Sequence, residues 1–133
     1  MDACLFCRIV REELPAHVVR QDARTIAFLD IAPSTRGHLL VIPRAHAVDV
    51  TDIPAEDLAA CALAAQDLAR RAIDRLGAEG VNLIQSNRAA GWQQVFHFHL
   101  HVVPRYRGDA LRAPWAPASL DDATASELTR LLA

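Results

Sequence analysis

Lysine is absent from the sequence: all 14 basic residues are arginines, spread from Arg8 to Arg130. They form no stripe suited to tracking a nucleic-acid backbone, so a DNA or RNA partner is not expected. An excess of charge is missing too, since 16 acidic residues leave a formal net charge of -2. No apolar run approaches membrane-spanning length, and Met1-Asp2-Ala3-Cys4-Leu5-Phe6-Cys7 has neither the basic region nor the apolar stretch of a secretion signal. A cytoplasmic protein without a membrane partner is the expectation. Cysteine is scarce and odd in number, 3 in all, with Cys4 and Cys7 three residues apart. That argues against a disulfide framework and for a metal or redox pair in a reducing compartment. What is present, 52% hydrophobic and 23% charged residues over 133 positions, fits one globular domain spanning residues 1–133.

Two strand-like runs, Thr25 to Ile31 and His38 to Ile42, flank a turn marked by Pro33 and Gly37 and suggest an antiparallel pair. A less marked strand, His17 to Gln21, precedes them. Between Pro54 and Leu76 the residues Leu58, Cys61, Ala62, Ala65, Leu68, Ala72 and Leu76 recur every three or four positions, with Glu56 and Asp57 at the start and Gly77 past the end. This predicts one amphipathic helix of several turns. Val81 to Gln85 reads as a strand, Ser86 to Gln94 as a polar loop, and Val95 to Val103 as a further strand ended by Pro104. Pro114, Trp115 and Pro117 follow, and Leu120 to Leu132 suggests a terminal helix.

His97, His99 and His101 alternate with Phe98, Leu100 and Val102. On a strand this spacing puts the three imidazoles on one face and the apolar residues on the other. Three readings of such a row are open. The rings are half-buried and hydrogen-bonded to neighbours, or they bind one catalytic zinc with a position left for water. Alternatively, one ring is a nucleophile, its second nitrogen held by a fixed acceptor, and its neighbours stabilise charge on a phosphate.

The stretch Gln94-Val95-Phe96-His97-Phe98-His99-Leu100-His101-Val102-Val103-Pro104-Arg105 resembles the signature of the histidine-triad (HIT) family. Phe28-Leu29-Asp30-Ile31-Ala32-Pro33, Gly37-His38-Leu39-Leu40-Val41-Ile42-Pro43-Arg44-Ala45-His46, Cys4-Leu5-Phe6-Cys7-Arg8-Ile9 and Glu13-Leu14-Pro15-Ala16 resemble its other segments, in the family's order. The similarity is greatest to the Hint-type branch. It implies an α+β HIT-like fold, a five-stranded antiparallel sheet with one long helix and a short C-terminal helix, with two sheets joined in a homodimer. It also implies hydrolysis at the α-phosphate of a purine nucleotide derivative, such as adenosine 5′-phosphoramidate or another AMP-amine compound, through a nucleotidyl-histidine. His99 takes the nucleophile's role, with His101 and His97 as its catalytic partners. Leu5, Phe6, Ile9, Phe28 and Ile31 match positions that hold the base, and Asp30 the carboxylate that accepts the ribose hydroxyls. Ser86, Asn87, Gln93, Gln94 and Val95 are the further nucleotide-binding residues that the resemblance implies. Hydrolysis of dinucleoside polyphosphates and nucleotide binding with little turnover are the alternatives.

Zinc-containing members pair two such cysteines with two histidines, which here are Cys4, Cys7, His46 and His97. Two thiolates and two imidazoles make a closed structural site, unsuited to activating water. A structural zinc and no organic cofactor are therefore expected, with Cys61 left as a buried helix residue. Trp92-Gln93-Gln94 departs from the family's usual Gly-Gln-Ser, and Ser86, with Asn87 beside it, stands where an Asn is usual. Trp92 either overhangs the phosphate site or points to solvent, and Gln94 supplies an amide in place of a hydroxyl.

Overall fold

The computed structural model describes residues 3–133, so Met1 and Asp2 of the N-terminal reading lie outside the described residues. Helix α1 (Leu5–Val10) leads into β1 (Val18–Gln21), β2 (Thr25–Leu29) and β3 (Leu39–Pro43); then come α2 (Ala55–Leu76), β4 (Gly80–Gln85), β5 (Leu100–Arg105) and α3 (Asp122–Leu132). Among the described residues the strands form one five-stranded sheet in the order β1-β2-β3-β5-β4, and every pairing is antiparallel. The fold is the α+β arrangement expected. Helix α1 was not anticipated: six residues are too few to show periodicity, and its N-cap is Cys4, whose sulfur accepts the Cys7 N–H at 3.4 Å.

The sheet separates two cores because alternate side chains point to opposite faces. On one face α2 lays Cys61, Ala64, Ala65 and Leu68 against Ala27, Leu39, Val41, Phe98 and Val102. On the other, Phe6 of α1 packs with Ile26, Phe28, Leu40 and Ile42. Small alanines let α2 lie close to the sheet. Glu56 and Asp57 complement its N-terminus, and Gly77 ends it in the left-handed conformation at φ 70°, which glycine adopts without steric cost.

Three strand limits differ from the sequence reading by two residues or more. β2 stops at Leu29, not Ile31, because the Asp30 carboxylate accepts the Ala32 N–H at 2.8 Å and turns the chain. The triad strand starts at Leu100, not Val95. Residues before it are spent on a loop, where the Phe98 N–H bonds the Ala47 carbonyl outside the sheet at 2.7 Å. Pro104 does not end that strand but lies within it, opposite Val81. β3 pairs only with residues 100–102, and the Pro104 carbonyl, accepting from the Thr35 hydroxyl at 2.6 Å, faces the open side. Its nitrogen faces the same way, so no ladder bond is lost.

Candidate active site

α1, the turn after β2 and the loop before β5 surround a cavity of about 540 Å³ on the face opposite α2, within the range of small-molecule sites. Leu5, Phe6, Ile9, Phe28, Asp30, Ile31, Gln94, Val95, His99 and His101 all line it. Three expected nucleotide contacts do not. The Gln93 amide is buried in its own loop, accepting from the Arg88 N–H and donating to the Val48 and Val95 carbonyls. Asn87 accepts the Val50 N–H and donates to Gln85, and Ser86, like Asn87, is absent from the lining. Leu14, Pro15, Ala16 and Trp92 line the cavity without having been singled out as nucleotide contacts. His38 was also missed, although one imidazole in the otherwise apolar run 38–42 is a signal, because a buried polar ring needs a partner.

Backbone groups fix which nitrogen of each ring carries its proton. A carbonyl only accepts, so His99 Nδ1, 2.8 Å from the His97 carbonyl, bears a hydrogen, and its Nε2 keeps the lone pair. His97 is tied the other way round. Its Nε2 donates to the Pro43 carbonyl at 2.9 Å, leaving Nδ1 free to accept or ligate. The Ser34 N–H donates to His38 Nδ1 at 3.0 Å, so the proton of the neutral His38 ring is on Nε2, 2.9 Å from His101 Nδ1. His101 Nδ1 is then an acceptor, and its Nε2–H is a donor.

Burial keeps these rings neutral. It pushes His101 down to about 4, with a further push from His99 and His38 and a partial counterweight from Asp30. His99 is lowered chiefly by burial, opposed by its bond to the His97 carbonyl. His38 is lowered for the same reason against the pull of Asp30, whose carboxylate lies 3.6 Å from its Nε2. A neutral imidazole with one nitrogen anchored and the other bare is the form that attacks phosphorus at neutral pH.

Beside the cavity, α1 brings Cys4 and Cys7 to His46 and His97, with the four donor atoms within 4.8 Å of one another. His97 Nδ1 is 3.4 Å from Cys4 Sγ, 3.5 Å from Cys7 Sγ and 3.2 Å from His46 Nδ1; Cys7 Sγ is 3.3 Å from His46 Nδ1. A tetrahedron around one zinc has S–N edges of about 3.5 Å and N–N edges of about 3.3 Å, from the usual bond lengths. The donor set fits. Burial, then the neighbouring Cys4, raises the Cys7 thiol, and a cation would reverse that by binding the thiolate. Asp30, His38 and His101 also lie close together, but His38 and His101 spend a ring nitrogen each on one another.

These features define a small-molecule-sized pocket lined by an imidazole anchored through one nitrogen, next to a closed cysteine–histidine cluster. The HIT domain model matches residues 11–108, and the chain belongs to the HIT domain family. A HIT-like protein of Mycobacterium tuberculosis is 44% identical over 108 residues, covering 81% of this chain and 75% of the relative. The crystal structure of a zinc-bound histidine triad family protein from Mycobacterium smegmatis superposes with a TM-score of 0.81 at 40% identity, covering 98% of each chain. The adenylylsulfatase HINT3 of Arabidopsis thaliana is 33% identical over 117 residues, 88% of this chain and 58% of that protein.

Proposed function

We propose that this protein is a purine-nucleotide hydrolase acting at the α-phosphate of adenosine 5′-phosphoramidate or similar AMP-amine compounds. The observation that carries the reading is the anchoring of His99 through Nδ1, which leaves its Nε2 lone pair on a ring lining the cavity. Nε2 forms a bond to phosphorus, and the bond from phosphorus to the leaving nitrogen breaks with its electron pair going to that nitrogen. The leaving amine takes a proton through His101. The His99 ring, now cationic, is stabilised by the His97 carbonyl that its Nδ1–H already contacts. Water then attacks phosphorus, the electron pair returns to His99 Nε2, and the water's proton replaces the one lent by His101.

Leu5, Phe6, Ile9, Phe28 and Ile31 provide the apolar end for the base, and Asp30 is the acceptor for ribose hydroxyls. Cys4, Cys7, His46 and His97 would hold a structural zinc, whose role is to tie α1 to the triad loop and so shape the cavity wall. We assign a homodimer as the working form. β4 is an edge strand with half-exposed Leu83 and Ile84, α2 leaves Leu63 and Ile73 exposed, and no residue of α3 is buried. Such apolar surface is usually covered by a partner. No helix among the described residues is long and apolar enough to cross a membrane, and the free Cys4, Cys7 and Cys61 support a reducing, cytoplasmic setting.

Steady-state kinetics with adenosine 5′-phosphoramidate, adenylyl sulfate and a diadenosine polyphosphate, beside AMP binding, tests this reading. The phosphoramidate is expected to give the highest kcat/KM. Preference for the dinucleotide would reassign the substrate class, and AMP binding without turnover of any of the three would overturn the enzymatic reading.

A further inference from the structure

Trp92 belongs to the loop that carries Gln94, and both line the cavity with His99 and His101. The nucleoside end is lined from α1 and β2 instead. The cavity lining thus combines apolar groups from α1 and β2, the polar Gln94, His99 and His101 and, on the triad loop, a second large apolar group. The backbone of Trp92 is also fixed in place. It sits at φ 70°, a conformation that residues with side chains rarely adopt and that persists only where the surroundings impose it. Its N–H donates to the Ala89 carbonyl at 3.0 Å, and the Gln93 N–H to the Arg88 carbonyl at 3.0 Å. The Gln93 side chain closes the loop with three hydrogen bonds, to the Arg88 N–H at 2.7 Å and the Val48 and Val95 carbonyls at 2.7 and 3.1 Å. Gln93 is 4% exposed and Trp92 is 62% exposed. The largest side chain of the loop is therefore kept out of the core by a buried clamp and presented at the cavity wall.

We propose that Trp92 forms a leaving-group subsite that selects amines carrying a planar aromatic ring. This rests on the reading of His99 as nucleophile: with the nucleoside at the α1 end and the α-phosphate at His99, the group attached to phosphorus is the part within reach of the triad loop. An indole face stacks on a flat ring and gains less from a puckered one. The chemistry of the step is unchanged. The phosphorus–nitrogen bond breaks, its pair goes to the aromatic amine's aliphatic nitrogen, and the proton comes through His101.

The test uses two adenosine 5′-phosphoramidates that differ only in the amine, 2-phenylethylamine or 2-cyclohexylethylamine. The saturated ring is at least as hydrophobic, so simple burial would not favour the phenyl compound. The wild-type protein is expected to prefer the phenyl compound by about fivefold or more in kcat/KM, chiefly through KM. Trp92→Gly, which suits the positive φ, is expected to bring the ratio to about one, and Trp92→Phe to retain part of it. Calorimetric titration of both intact compounds into His99→Asn reads the same preference without turnover. If no turnover occurs but the phenyl compound still binds tighter, the nucleophile reading fails and the subsite stands. Equal binding of the two compounds in wild type, an unchanged ratio in Trp92→Gly, or a rise in kcat/KM for both compounds on removing the indole would overturn the proposal, the last by showing that Trp92 obstructs.

Discussion

His97 and His99 stand two residues apart and both give one ring proton to a backbone carbonyl, yet they are tied through opposite nitrogens. His97 donates from Nε2 to Pro43 and turns Nδ1 toward Cys4, Cys7 and His46. His99 donates from Nδ1 to His97 and keeps Nε2 for the cavity. Phe6 stands edge-on to both rings, with centroids 5.9 and 5.2 Å away. The same residue type on the same segment is thus left with Nδ1 free beside the cysteines in one place and Nε2 free at the cavity in the other by the choice of anchored nitrogen. A side chain's chemistry here follows from its hydrogen-bond partner more than from its identity.

The largest expected effect breaks the comparison on the His99 side. His99→Ala is expected to reduce kcat by about 1000-fold or more while nucleotide binding, measured by calorimetry, stays detectable. Next, His38→Ala removes the donor that holds His101 with its Nε2–H free. A loss of about 100-fold in kcat is expected, with a smaller change in KM, as for a misplaced proton-transfer group. On the other side of the comparison, Cys4→Ser is expected to lower bound zinc from about one per chain, by elemental analysis, and to lower Tm by several degrees. Its effect on kcat is expected to be smaller than either histidine variant's. Turnover lost reversibly on chelation with Tm unchanged would instead make the metal catalytic.

The smallest effect concerns pH. Burial pushes His101 down to about 4 from an ordinary 6.5, so protonation favours the unfolded chain. The stability contributed by the neutral ring is complete above 6.5 and drains away as pH falls toward about 4. Denaturant unfolding across that window is expected to show a shallower decline for His101→Gln, which cannot titrate, than for wild type. Parallel declines would place His101 in solvent.

Much of this was legible in the sequence because it is carried by local pattern. The Leu58 to Leu76 periodicity gives α2, and the alternation at 97–102 sends Phe98 and Val102 to the α2 core and the histidines to the other side. The parts that were not legible depend on contacts far along the chain. The Phe98 N–H is taken by Ala47, which delays β5 to Leu100, and no local signal announces it. Pro104 survives inside a strand only because β3 stops short of it. Ser86, Asn87 and Gln93 look like phosphate-loop polar groups by position, yet Asn87 and Gln93 spend their side chains holding the loop together. His38 is hydrogen-bonded to His101, a pairing 63 residues apart that spacing does not reveal.

Whether His99 Nε2 carries the nucleotide can be read from an acid-free rapid quench during turnover of adenosine 5′-phosphoramidate, followed by peptide mass spectrometry. A nucleotidyl group is expected on the peptide containing His99, localised to that residue and absent from His99→Ala. An adduct on His97 or His101, or full turnover by His99→Ala with no adduct, would contradict it.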